Sequence, residues 1–107
     1  MNEMASMLER LEQTLKDRRA SDPGESYVAS LYAKGSRKIA QKVGEEAVET
    51  AMAVAGGDKK ELVKEAADLL FHLLVLLEAE GLSLDDVVDE LARREGISGH
   101  DEKASRT

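Results

Sequence analysis

The chain has 107 residues, enough for one domain with a modest core. Its formal charge of -7 and pI of about 4.8 argue against a nucleic-acid backbone as its main partner. Having no Cys, it has no disulfide, zinc-thiolate site or Cys nucleophile, and its single Pro, lack of Trp and Ala-rich aliphatic set favour an all-helical fold.

No basic segment leads into an apolar one at the N-terminus, so no secretory signal is expected. The longest apolar run, residues 69–77, is interrupted by His72 and far too short to span a bilayer. The expectation is a cytoplasmic protein with no membrane and no nucleic-acid partner. Met4, Met7, Leu8, Leu11 and Leu15 recur at steps of three and four and predict an amphipathic helix. Its other face carries Glu9, Arg10, Glu12, Lys16 and Asp17. Ser21-Asp22-Pro23-Gly24 reads as a loop. Ser26 is placed to cap a short helix over 26–34, with Tyr27, Val28, Leu31 and Tyr32 on its apolar side.

Gly35 breaks the chain ahead of Ser36-Arg37-Lys38. A helix starting there gathers backbone N–H groups, a hydroxyl and two cations, which suits a phosphate group. On spacing alone an ordinary capped start with solvated basic side chains suits it better, since such starts are common. From Ile39 the helical period places Val43, Ala47, Ala51 and Val54 on one side, extended by Val48, Met52 and Ala55. Lys38, Lys42, Glu45, Glu46 and Glu49 fill the remaining arc. Gly44 sits mid-helix at a cost of about 1 kcal/mol relative to Ala, and either a helix or a ligand could approach there.

Gly56-Gly57 ends this helix, and Asp58 with Glu61 has the spacing of a capping box for the next. Over residues 66–77 only Asp68 and His72 are polar, so this helix is expected to be buried on most sides, with Glu61, Glu65, Asp68 and His72 as one narrow stripe. So apolar a helix calls for at least a dimer. Gly81 closes it, and Ser83-Leu84-Asp85-Asp86 starts another, with Leu84, Val87, Val88 and Leu91 at helical spacing and Arg93 and Arg94 in its last turn. The prediction is an all-α bundle of four to five helices over residues 1–95, with 96–107 a disordered tail.

Glu45-Glu46-x-x-Glu49 and Glu65-x-x-Asp68 lie on the two helices of this hairpin, and each pair three apart shares a helix face. Carboxylates converging there repel by about 3–4 kcal/mol per close pair at an effective dielectric of about 20. A cation relieves that. Hard oxygen ligands select Mg²⁺ or Mn²⁺, and the matching chemistry is metal-assisted attack of water on a phosphoryl group. Taken alone, the first cluster also suits a solvated face paired with Lys42; the apolar surroundings of the second make the pair a site. A ferritin-like di-iron site fails because Asp68, not His, stands three after Glu65. No His-Glu-x-x-His, Walker A loop or Gly-x-Gly-x-x-Gly is present. His72 reads as a buried residue that hydrogen-bonds its surroundings or a ligand rather than as a ligand itself.

These clusters resemble the signature of the MazG-like, all-α nucleoside triphosphate pyrophosphohydrolases. The stretch Leu31-Tyr32-Ala33-Lys34-Gly35-Ser36-Arg37-Lys38-Ile39-Ala40-Gln41-Lys42-Val43-Gly44-Glu45-Glu46-Ala47-Val48-Glu49, with Glu65-Ala66-Ala67-Asp68-Leu69-Leu70-Phe71-His72-Leu73-Leu74, is similar to the phosphoribosyl-ATP pyrophosphatase family of histidine biosynthesis, over about residues 26–94. The resemblance implies Mg²⁺-dependent hydrolysis of phosphoribosyl-ATP to phosphoribosyl-AMP and pyrophosphate by a helical homodimer. It implies a metal held by Glu46, Glu49, Glu65 and Asp68, with Glu45 orienting or deprotonating the attacking water. Arg37, Lys38 and Lys42 are implied to face the triphosphate. Two rivals stand beside it: a house-cleaning enzyme acting on aberrant nucleoside triphosphates, and a non-catalytic helical adaptor whose acids are only solvated.

Overall fold

The computed structural model describes residues 3–96. Among them are five α-helices and no strand: α1 Glu3–Arg18, α2 Tyr27–Lys34, α3 Ser36–Ala55, α4 Lys59–Ala79 and α5 Leu84–Arg94. The expected all-α architecture is found. The side chain of Met4 and the expected tail beyond Gly96 lie outside the described residues.

Local chemistry sets the boundaries. Ser26 holds an extended backbone, and its Oγ accepts the Ala29 N–H at 3.2 Å, one of the first-turn donors of α2 that otherwise lack partners. Only Gly35 separates α2 from α3, and it does so at φ 90°, a left-handed value that a side chain disfavours. Open space surrounds it, so backbone conformation rather than crowding demands glycine. Asp58 Oδ1 accepts the Glu61 N–H at 3.0 Å and starts α4. Ser83 and Asp86 form a reciprocal capping box at α5.

Antiparallel helices α3 and α4 form the main pair, and α1 and α2 pack around them. Leu15, Leu31, Ile39, Leu74 and Val75 make the buried core, with Leu8, Leu11, Val28, Tyr32 and Phe71 against it. It therefore occupies the end of the hairpin where α3 begins and α4 finishes. Toward the hairpin turn the buried residues become Glu46, Glu65 and His72. Helix α5 buries no residue completely; Leu84 packs against the core, and the Leu84 N–H donates to the Glu12 carboxylate at 2.6 Å.

Two sequence expectations change here. On α3, only Ile39 of the predicted apolar side is buried and Val43 half-buried, while Ala47, Val48, Ala51, Met52, Val54 and Ala55 are exposed. Glu46 and Ala53 are buried instead. On α4, Leu70 and Leu73 of the apolar run expected to be covered are exposed in the single chain. The cause is one rotation: α3 turns the side bearing Glu46 and Ala53 to α4, leaving most of its aliphatic side without a neighbour among the described residues. Such an orientation sacrifices apolar burial to gather carboxylates. A Cβ at Gly44 would likewise meet nothing within 4 Å among the described residues.

Candidate metal centre

Glu46 and Glu49, one turn apart on α3, meet Glu65 of α4 with one carboxylate oxygen from each within 4.8 Å of the others. Glu46 is 8% exposed and Glu65 7%, while Glu49 is open to solvent. Glu65 Oε2 is enclosed and has no hydrogen-bond partner among the described residues. Three carboxylates this close do not all ionise unaided. A hydrogen bond with Glu49, then burial, then a hydrogen bond with Glu61 push the Glu65 carboxyl up to about 8. Burial foremost, then Glu49, also raise Glu46 above the ordinary carboxylate range.

An enclosed oxygen without a partner inside a group of hard oxygen donors fits a divalent cation of the Mg²⁺ or Mn²⁺ type. Asp68, half-buried one turn after Glu65, lies outside the group of three, though its charge is felt at Glu46. Glu45 is not in the group. It is exposed, accepts from Gln41 Nε2 at 3.3 Å and sits 3.9 Å from Lys42 Nζ.

His72 is 6% exposed and stands behind the carboxylates. Its Nδ1 is 2.9 Å from the Asp68 backbone carbonyl and 3.4 Å from Glu46 Oε1. Its Nε2 is 2.9 Å from the Tyr27 hydroxyl.

The basic residues divide. Lys38 and Lys42 line a small recess together with Lys34, Leu31, Gln41 and Glu45. Arg37 opens instead on a separate groove with Ser36, Ala40, Leu76, Leu77 and Glu80. Adjacent helical residues point about 100° apart, which separates Arg37 from Lys38. Sequence reasoning passed over Lys34, although Lys34, Lys38 and Lys42 recur every four residues; the break at Gly35 hid the pattern. It placed Glu61 in a capping box and on the polar stripe but not in the site, and Glu61 joins Glu49, Met52, Ala53, Asp58 and Glu65 around a cavity of about 360 Å³.

The chain is similar in sequence to known proteins. The sequence profile of the family described as phosphoribosyl-ATP pyrophosphohydrolase matches residues 8–95. A phosphoribosyl-ATP pyrophosphatase of Novosphingobium aromaticivorans is 60% identical over 105 residues, covering 98% of this chain and 98% of the relative. That of Erythrobacter litoralis is 63% identical over 99 residues, 92% of this chain and 95% of the relative. The histidine biosynthesis bifunctional protein HisIE of Vibrio cholerae is 56% identical over 87 residues, 81% of this chain and 41% of that longer protein. The acidic hairpin and the lysine recess lie wholly within the matched residues, and the chain belongs to the phosphoribosyl-ATP pyrophosphohydrolase family.

Proposed function

We propose that this chain hydrolyses phosphoribosyl-ATP to phosphoribosyl-AMP and pyrophosphate, the second step of L-histidine biosynthesis, in the cytoplasm and with Mg²⁺ at Glu46, Glu49, Glu65 and Asp68. The observation that carries the reading is the meeting of Glu46, Glu49 and Glu65, two of them buried, in a chain whose near-full-length relatives are named for this activity. Mn²⁺ suits the same donors.

When bound, the metal supplies positive charge against the phosphate oxygens, worth several kcal/mol of charge stabilisation. The remaining work falls to the chain. Lys38 and Lys42, with Lys34 beside them, offer ammonium groups to the phosphates. Arg37, on its separate groove, is left with a lesser part. Glu45, next to the metal ligand Glu46 and beside Lys42, is assigned to orient or deprotonate the water. One water is consumed, the anhydride between the α- and β-phosphates breaks, and pyrophosphate leaves.

The working form in this reading is a homodimer. Met52 is 65% exposed and Val63 70%, and Val48 and Leu70 extend the uncovered apolar surface of the hairpin. Monomers rarely leave so much aliphatic surface in water without a partner.

Parallel assays of pyrophosphate release from phosphoribosyl-ATP, dUTP and dCTP test the substrate. Release should be fastest from phosphoribosyl-ATP by a wide margin. Faster release from dUTP or dCTP would identify a house-cleaning enzyme instead, and no release from any of them would leave the helical adaptor.

A further inference from the structure

We propose that Lys34 and Lys38 determine substrate specificity by binding the single phosphate on the second ribose of phosphoribosyl-ATP. The inference rests on the phosphoribosyl-ATP reading of the site and deepens it.

Positive charge gathers here against the trend of a chain whose net charge is -7. Lys34 ends α2, and Lys38 and Lys42 stand one turn apart on α3. Gly35, at φ 90°, joins the two helices, and all three lysines line one recess of about 80 Å³ beside the buried Leu31. Glu45 is the one acid among the described residues of that lining, and its ion pair, at 3.9 Å, is with Lys42. Lys34 and Lys38 form no ion pair or side-chain hydrogen bond among the described residues. The dipole of α2 favours a cation at Lys34 in its last turn. That does not explain why Lys38 and Lys42 share the recess. Three ammonium groups around so small a space repel one another, and an anion between them turns repulsion into attraction.

Phosphoribosyl-ATP offers two separate anions. Its triphosphate belongs at the cation centre, where Glu49 and Glu65 border the cavity of about 360 Å³. The lysine recess is far smaller and suits one phosphate. Lys42 lies one turn before Glu46, close to the phosphates held there. Lys38 lies two turns before Glu46, about 12 Å along the helix axis. The β- and γ-phosphates directly follow the cleaved bond, so a cation two turns away meets the other end of the substrate. Lysine serves a phosphate well as a point charge. Ordinary nucleoside triphosphates lack the second ribose and its phosphate, and would leave the recess to water. Arg37, on its own groove with Glu80, takes no part.

The test compares two products, phosphoribosyl-AMP and AMP, titrated calorimetrically into the full chain with Mg²⁺. Wild-type protein should bind phosphoribosyl-AMP about tenfold or more tightly than AMP. Lys34→Gln and Lys38→Gln should each shrink that ratio severalfold, and the double variant should abolish it. Lys34→Arg, which keeps the charge, should retain most of it. Equal weakening of both products overturns the assignment, because the lysines then serve the phosphates that all nucleotides share. An unchanged ratio in the double variant overturns it as well, as does equal binding of both products by wild-type protein that hydrolyses phosphoribosyl-ATP. Wild-type protein that releases no pyrophosphate from phosphoribosyl-ATP overturns the substrate reading itself, and so the two failures are distinct.

Discussion

Glu65 carries the sharpest electrostatic consequence at the scale of single residues. Its carboxyl is raised from the ordinary 4.5 to about 8 by the hydrogen bond with Glu49, by burial and by Glu61. In metal-free protein the folded state therefore holds a proton that the unfolded chain has released. The resulting stability is fully present below about pH 4.5 and is lost as pH rises through about 8. Thermal unfolding of the metal-free protein should accordingly shift to lower temperature between those limits. Glu65→Gln should flatten that slope and raise metal-free stability at alkaline pH, because Gln keeps the shape without the charge. Added Mg²⁺ should reverse the trend, since binding needs the ionised carboxylates and releases their protons. A Mg²⁺-induced stabilisation that shrinks as pH rises would contradict the arrangement.

Among the elements, the hairpin divides into an apolar half that holds the core and a half that gathers the carboxylates. Ile39 and Val75 are completely buried at the core end, and truncating either to Ala should cost about 2–4 kcal/mol, measured by denaturant unfolding. Asp58→Ala removes the cap of α4 and should cost only about 1 kcal/mol, yet it acts at the rim of the cavity shared by Glu49 and Glu65. The helices themselves were legible in the sequence because Ser26, Asp58 and Ser83 are capping residues and Gly35, Gly57 and Gly81 turn the chain at positive φ. Which side of α3 faces α4 was not legible. Periodicity finds the apolar side of a helix, and here the side turned inward is the one that bears Glu46. Of the site, Glu46, Glu49 and Glu65 could be read from spacing. The Tyr27–His72 contact spans 45 positions in the chain and leaves no local pattern.

For the whole molecule, the described residues of a single chain leave aliphatic surface uncovered on α3 and α4, and α5 buries none of its residues completely. Light scattering coupled to size exclusion should give twice the chain mass at micromolar concentration. Met52→Glu combined with Leu70→Glu, placing charge on that surface, should shift the protein to a monomer. A wild-type monomer would remove the homodimer from the account. It would leave the carboxylate group standing, because Glu46, Glu49 and Glu65 all come from one chain. The central claim, a cation-dependent hydrolytic site built on these carboxylates, is tested most directly by pyrophosphate release from phosphoribosyl-ATP, with wild-type and Glu65→Gln proteins compared in Mg²⁺ and in EDTA. The account predicts rapid release only by wild-type protein in Mg²⁺, with Glu65→Gln slower by about a hundredfold or more; equal release in EDTA, or by Glu65→Gln, would contradict it.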